Sequence, residues 1–228
     1  MGGHDLRDDA KKVARFGLLA ALSLVLGWVD RDIPLTALLD GAVPGIKLGL
    51  ANTVLLYAVY LMDWRGCVLL MLTKVFLSGF LFGSMSAILY SLSGGVLSLA
   101  VMLLMRRNAR RGALAIALLC AAGAVALLAR PGKAPWIYVL LAVLACAAAL
   151  AVYRLIQRDA SLGAVAVSLA GAVAHNVGQV LAAAWVLRTP RLLSTYLPVL
   201  VIVGAAVGCL TGLVARRVFK ALKAPYSP

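Results

Sequence analysis

The sequence predicts an all-α polytopic membrane protein with about eight transmembrane helices in one membrane domain, residues 1–228. Three observations carry that prediction. Of the 228 residues, 64% are apolar and 13% charged, and the mean hydropathy is +1.01; a soluble domain has about half and about a quarter. The apolar residues form continuous runs, each near the roughly 20 residues that cross a hydrocarbon core as a helix, and they do not alternate with polar ones as barrel strands do. Basic residues gather at the ends of the runs, where they meet anionic headgroups and set orientation. The connections are too short for a separately folded catalytic domain.

The runs fall at about 13–29, 46–62, 66–83, 85–105, 112–129, 134–153, 162–187 and 195–215. The first leads into Trp28-Val29-Asp30-Arg31 and not a small-residue cleavage site, so it reads as a retained helix and not a signal peptide. The link that follows, from Asp30 to Gly45, contains Pro34, Gly41, Pro44 and Gly45, which disfavour a continuous helix. It reads as a re-entrant outer loop or as an ordinary ordered turn. Runs three and four meet at Phe82-Gly83-Ser84, a very tight connection or a break inside the membrane. Runs five and six are Ala-rich, with no polar residue inside, and suit peripheral packing or a partner surface.

The net charge of +14 orients helices here and does not point to nucleic acid. With a cytoplasmic N-terminus, that side carries Arg7, Lys11, Lys12, Arg15, Arg65, Arg106, Arg107, Arg110, Arg111, Arg154, Arg158, Arg216, Arg217, Lys220 and Lys223. The other side carries Arg31, Lys47, Arg130, Lys133, Arg188 and Arg191. This bias follows positive-inside placement in the cytoplasmic (inner) membrane, and an even number of helices puts both termini in the cytoplasm. The cysteines, Cys67, Cys120, Cys146 and Cys209, have neither metal-ligand spacing nor a disulfide framework.

Polar residues inside the runs are the candidate site. Lys74 lies mid-run, with Ser78 four residues on and on the same face. A charged side chain in hydrocarbon costs at least about 2.5 kcal/mol, and no acidic residue falls inside the runs, so Lys74 is expected to await an anionic ligand, snorkel outward or lose its proton. Lys47 stands at the outer edge of the second run, as a ligand contact or a headgroup anchor. Asn52 brings amide donors and an acceptor into apolar surroundings, for a ligand or a cross-helix hydrogen bond. In Gly171-Ala172-Val173-Ala174-His175-Asn176-Val177-Gly178-Gln179, His175 and Gln179 share a helix face and Asn176 points about 100° away. Small residues beside these polar ones let a helix or a ligand come close. Ser91, Ser93, Gly94, Gly95 and Ser98 thin the fourth helix for a bend or a tight crossing, which packing alone explains, with direct ligand contact as the alternative. No phosphate loop, HExxH pattern or paired aspartates with further carboxylates for Mg²⁺ are present. The chain is therefore expected not to be an enzyme, to need no metal or other cofactor, and to depend on a partner for ATP hydrolysis.

The stretch Pro44-Gly45-Ile46-Lys47-Leu48-Gly49-Leu50-Ala51-Asn52, the run holding Lys74, Ser93-Gly94-Gly95 with Ser98, and Gly171 through Gln179 resemble the heptaprenyl diphosphate synthase component I, or Gx transporter, family. The resemblance covers residues 12–105 and 160–218. Members look like the substrate-binding S subunits of energy-coupling-factor vitamin transporters, which implies a six-helix core, with 108–158 as an inserted two-helix hairpin. It further implies capture of a small molecule near the outer face and docking of the first helix on an energy-coupling transmembrane subunit with its ATPases. Here Gly17 and Ala21 have the small-xxx-small spacing. The expected function is capture of an anionic or amphipathic molecule resembling a vitamin, quinone or isoprenoid precursor. Lys47, Asn52, Lys74, His175, Asn176 and Gln179 would bind it in a mostly preformed pocket. The alternative is an accessory or structural subunit of a redox, quinone or prenyl-lipid system.

Overall fold

A computed structural model describes residues 2–32, 49–82, 85–107, 162–189 and 191–221, with scattered helical positions between 140 and 154. The run at 112–129, most of the run at 134–153 and of the inserted hairpin, Lys47, the 83–84 connection, Cys120 and Cys146 lie outside the described residues. The described elements are helices α1 (Gly2–Asp32), α2 (Asn52–Leu61), α3 (Trp64–Phe82), α4 (Met85–Arg107), α5 (Gly163–Val186) and α6 (Arg191–Ala221). Among these residues, Asp9–Asp30, Trp64–Leu81, Met85–Arg107 and Gly163–Val186 are long and apolar enough to cross a membrane, and the chain is an all-α, multi-pass membrane protein. These 18 to 24 residues reach roughly 27 to 36 Å at 1.5 Å per residue.

Two expectations need correction. The second run is not a full span: α2 has 10 residues, roughly 15 Å. Gly49 adopts φ +86°, a left-handed conformation that favours glycine, and the chain turns through Gly49–Ala51. The amides of Asn52 and Thr53 donate to the carbonyls of Gly49 and Leu50 as the helix begins. Apolar residues continue through this turn because its surroundings are protein, where non-helical backbone at membrane depth is tolerated. The second correction concerns acids. α1 continues past position 29 and carries Asp30, which is buried at 3% exposure. Its Oδ2 accepts hydrogen bonds from the amides of Gly49 (2.9 Å) and Leu50 (3.1 Å), which is how a buried carboxylate is tolerated.

Charges stand at both ends of α2. Asp30 holds the turn that leads into its N-terminus, and at the other end the Arg106 guanidinium donates to the carbonyl of Val59 and lies 5.8 Å from the Tyr60 ring centroid. An anion at the start and a cation at the finish oppose the helix macrodipole favourably. Phe219 of α6 packs on Tyr57 and Tyr60 at the same end as Arg106, with ring centroids 5.3 and 5.0 Å away. That end, called the basic end below, also carries Arg65, Arg107, Arg216, Arg217 and Lys220.

Glycines set how closely the remaining helices approach. A Cβ on Gly208 or Gly212 of α6 would lie 2.8 Å from the Cα of Leu169 or Val165 on α5. On α5, a Cβ at Gly178 would lie 2.8 Å from both the Cα of Gly94 and the carbonyl of Ser93 on α4. These are backbone-to-backbone crossings of the kind that small residues permit in membranes. The fully buried side chains of Leu55, Leu56, Leu70, Met102 and Val167 fill the space between α2, α3, α4 and α5.

Candidate functional site

Between mid-bundle and the end opposite the basic end, five segments meet around a small cavity. α1 contributes Gly27 and Asp30, the turn before α2 contributes Gly49 and Ala51, α3 contributes Lys74, Val75 and Ser78, α4 contributes Ser91, and α5 contributes His175. Each position follows from helical register. Lys74 and Ser78 are one turn apart on α3, and on α1 Leu19, Ser23, Gly27 and Asp30 share one buried stripe. α1 meets α3 at Gly27, where a Cβ would sit in ordinary contact, 3.4 Å from Ser78 Oγ.

The His175 ring is held between two glycines. A Cβ on Gly49 would approach its Cδ2 to 2.9 Å, and one on Gly94 would approach its Nδ1 to 2.8 Å and its carbonyl oxygen to 2.7 Å. Asp30 fixes the Gly49 amide, so α1 and the imidazole are linked through one residue. Lys74, Asp30 and His175 are all at least nine-tenths buried, so the cavity has ionisable groups of both types, a carboxylate among them. This differs from a site with cationic residues alone.

The structure brings two of the six sequence-predicted binding residues, Lys74 and His175, into this cavity. Asn52 instead donates from Nδ2 to Ser98 Oγ (2.8 Å), and that hydroxyl donates to the Gly171 carbonyl (2.8 Å). This relay ties α2 to α4 and α4 to α5, so Asn52 makes a cross-helix hydrogen bond. Asn176 Nδ2 donates to the Leu200 carbonyl of α6 (2.6 Å). Gln179 is fully buried beside Gly94, whose Cβ would meet its Cγ at 2.9 Å. Gly17 and Ala21 lie on the exposed face of α1, and a Cβ on Gly17 would meet nothing within 4 Å.

The cavity volume is about 20 Å³, room for roughly one water, whereas pockets for small organic ligands span about 300–1,000 Å³. The expected preformed pocket is thus a narrow site, lined by both polar and apolar groups, that must widen to admit such a molecule. Among the described residues no group of three His, Cys, Asp or Glu is placed to hold a metal ion. Sequence reasoning missed Asp30, because an acid after an apolar run reads as the start of a loop. The available signal was the spacing of Ser23, Gly27 and Asp30, which continues one small or polar stripe off the end of the run.

Residues 19–130 and 131–218 match the family model described as heptaprenyl diphosphate synthase component I. No curated protein and no solved structure matches the chain. The matched stretches take in most of the sequence, and the chain belongs to this family.

Proposed function

We propose that this member of the heptaprenyl diphosphate synthase component I family is the substrate-binding membrane subunit of a small-molecule transport system, and that it is not itself an enzyme. The observation that carries the reading is the convergence of Lys74, Asp30 and His175 on one buried cavity. Ionisable groups at membrane depth are costly and mark ligand or ion pathways. The preferred cargo is a small anionic or amphipathic molecule whose polar group meets the Lys74 ammonium and the imidazole. Positive-inside placement puts the basic end in the cytoplasm, together with both termini, and the cavity in the outer half of the inner membrane. Capture therefore occurs from outside. The chain has no nucleotide-binding motif, so reorientation depends on a coupling subunit with ATPases. The exposed α1 face with Gly17 and Ala21 is the proposed dock, and the 108–158 segment is a peripheral addition to the core. The family description, "component I", suits a protein that works with other subunits.

The test is purification of the full chain followed by mass spectrometry of co-purified small molecules. A specific compound is expected with the native protein and at least tenfold less of it with Lys74→Ala. Equal occupancy in the two would overturn the reading. A second reading, an accessory or structural subunit of a redox, quinone or prenyl-lipid system, is favoured by the polar bonds that Asn52 and Asn176 spend on neighbouring helices. It predicts co-purification of a redox or prenyl-transfer subunit with no small molecule dependent on Lys74.

A further inference from the structure

We infer that Asp30 is the positioning residue that keeps this cavity narrow, and that the cavity widens by movement of the α1 end away from the Gly49–Leu50 turn. The inference deepens the proposed function, since it concerns access to the same site. A space of about 20 Å³ cannot take an organic molecule, so a wall has to move. The walls are not equally free. α4 and α5 are in backbone contact at Gly94 and Gly178, with Ser93 Oγ donating to the Gly178 carbonyl (3.0 Å) and Ser98 Oγ to that of Gly171. α5 and α6 are locked at Gly208 and Gly212, and Asn52 ties α2 to α4. Separating any of these pairs would expose backbone or strand a buried amide.

The α1 wall is different. Only 22% of its membrane-length window is buried, against 72% for α5, and it packs against α3 and α2. Next to the cavity it contributes Gly27, which has no side chain, and Asp30. Through Oδ2, Asp30 holds two consecutive amides of the turn, and these charge-assisted bonds close the gap between the end of α1 and the start of α2. Because Gly49 stands beside the His175 ring, with no room for a Cβ between them, the same clasp bears on the position of the imidazole. Releasing the hold of this carboxylate on the turn therefore loosens the α1 end and the Gly49 side of the histidine together, leaving the α4–α5 and α5–α6 crossings in place.

Ser78 reports the opening, because α1 covers it at Gly27. Ser78→Cys is introduced into a full-length chain whose native cysteines are replaced by serine. The protein is reconstituted in lipid nanodiscs and treated with a charged, membrane-impermeant maleimide. Labelling is expected to be slow in this background, at least tenfold faster with Asp30→Asn added, and slow again with Asp30→Glu, which keeps a carboxylate. Equal labelling rates with and without Asp30→Asn, in proteins of similar melting temperature, would overturn the inference. Should the Asp30→Asn variant fail to fold, hydrogen exchange on the native chain decides. Segments 25–30 and 49–51 are expected to open together and faster than α5, and opening of α5 first would overturn it. Neither readout needs a cargo, so failure of the transport reading leaves the result interpretable, and a closed α1 with a Lys74-dependent compound would sink the latch alone.

Discussion

The α4–α5–α6 side of the protein and the α1 side solve the same problem, association inside hydrocarbon, in opposite ways. On the first side, glycines bring backbones together, and Ser93, Ser98 and Asn176 add hydrogen bonds to neighbouring carbonyls. On the second, a mostly exposed helix rests on a narrow stripe of Leu19, Ser23, Gly27 and Asp30, and the carboxylate at the end of that stripe bonds two amides of the turn. Lipid tails are as apolar as leucine, so close packing and polar bonds decide which helices stay together. A cavity between a rigid wall and a lightly held one has a built-in direction in which to open.

The comparison is most exposed at Gly178. Gly178→Leu places carbon where the Gly94 Cα and Ser93 carbonyl stand, and backbone cannot give way as a side-chain tip can. It should destabilise by about 3 kcal/mol or more, seen as lost monodispersity or a large drop in melting temperature in detergent. Ser98→Ala should cost less, about 1–2 kcal/mol, because it strips the Asn52 amide of its partner and the Gly171 carbonyl of a donor. Its melting temperature should fall while the Lys74-dependent compound still binds, since neither Asn52 nor Ser98 lines the cavity. Gly17→Leu should change stability by no more than about 0.5 kcal/mol, because a side chain there meets nothing within the chain. If a coupling subunit docks on that face, the same substitution should abolish its co-purification; a large stability loss instead would show that α1 is packed more firmly than its exposure implies.

Much of the architecture was legible in the sequence. The runs at 85–105 and 162–187 correspond to Met85–Arg107 and Gly163–Val186, because an uninterrupted apolar run of that length has one economical conformation in a bilayer. The run at 46–62 misled because hydropathy measures burial and not crossing: Gly49 breaks the helix inside a segment that stays apolar. His175 and Lys74 were identifiable from their cost in hydrocarbon. Asp30 was not, since its burial depends on two amides contributed from 19 and 20 residues further along the chain. Nor could residue type alone separate Asn52, Asn176 and Gln179 from a cavity lining, because an amide that bonds a neighbouring helix and one that bonds a ligand satisfy the same requirement.

Native mass spectrometry of the intact, detergent-released protein reads out occupancy of the Lys74 cavity. A single small-molecule adduct is expected on the native chain, persisting in Asn176→Ala, whose amide serves α6, and disappearing in Lys74→Ala. An adduct that survives Lys74→Ala unchanged, or a native protein that carries none when isolated directly from its own membrane, would contradict capture at this cavity.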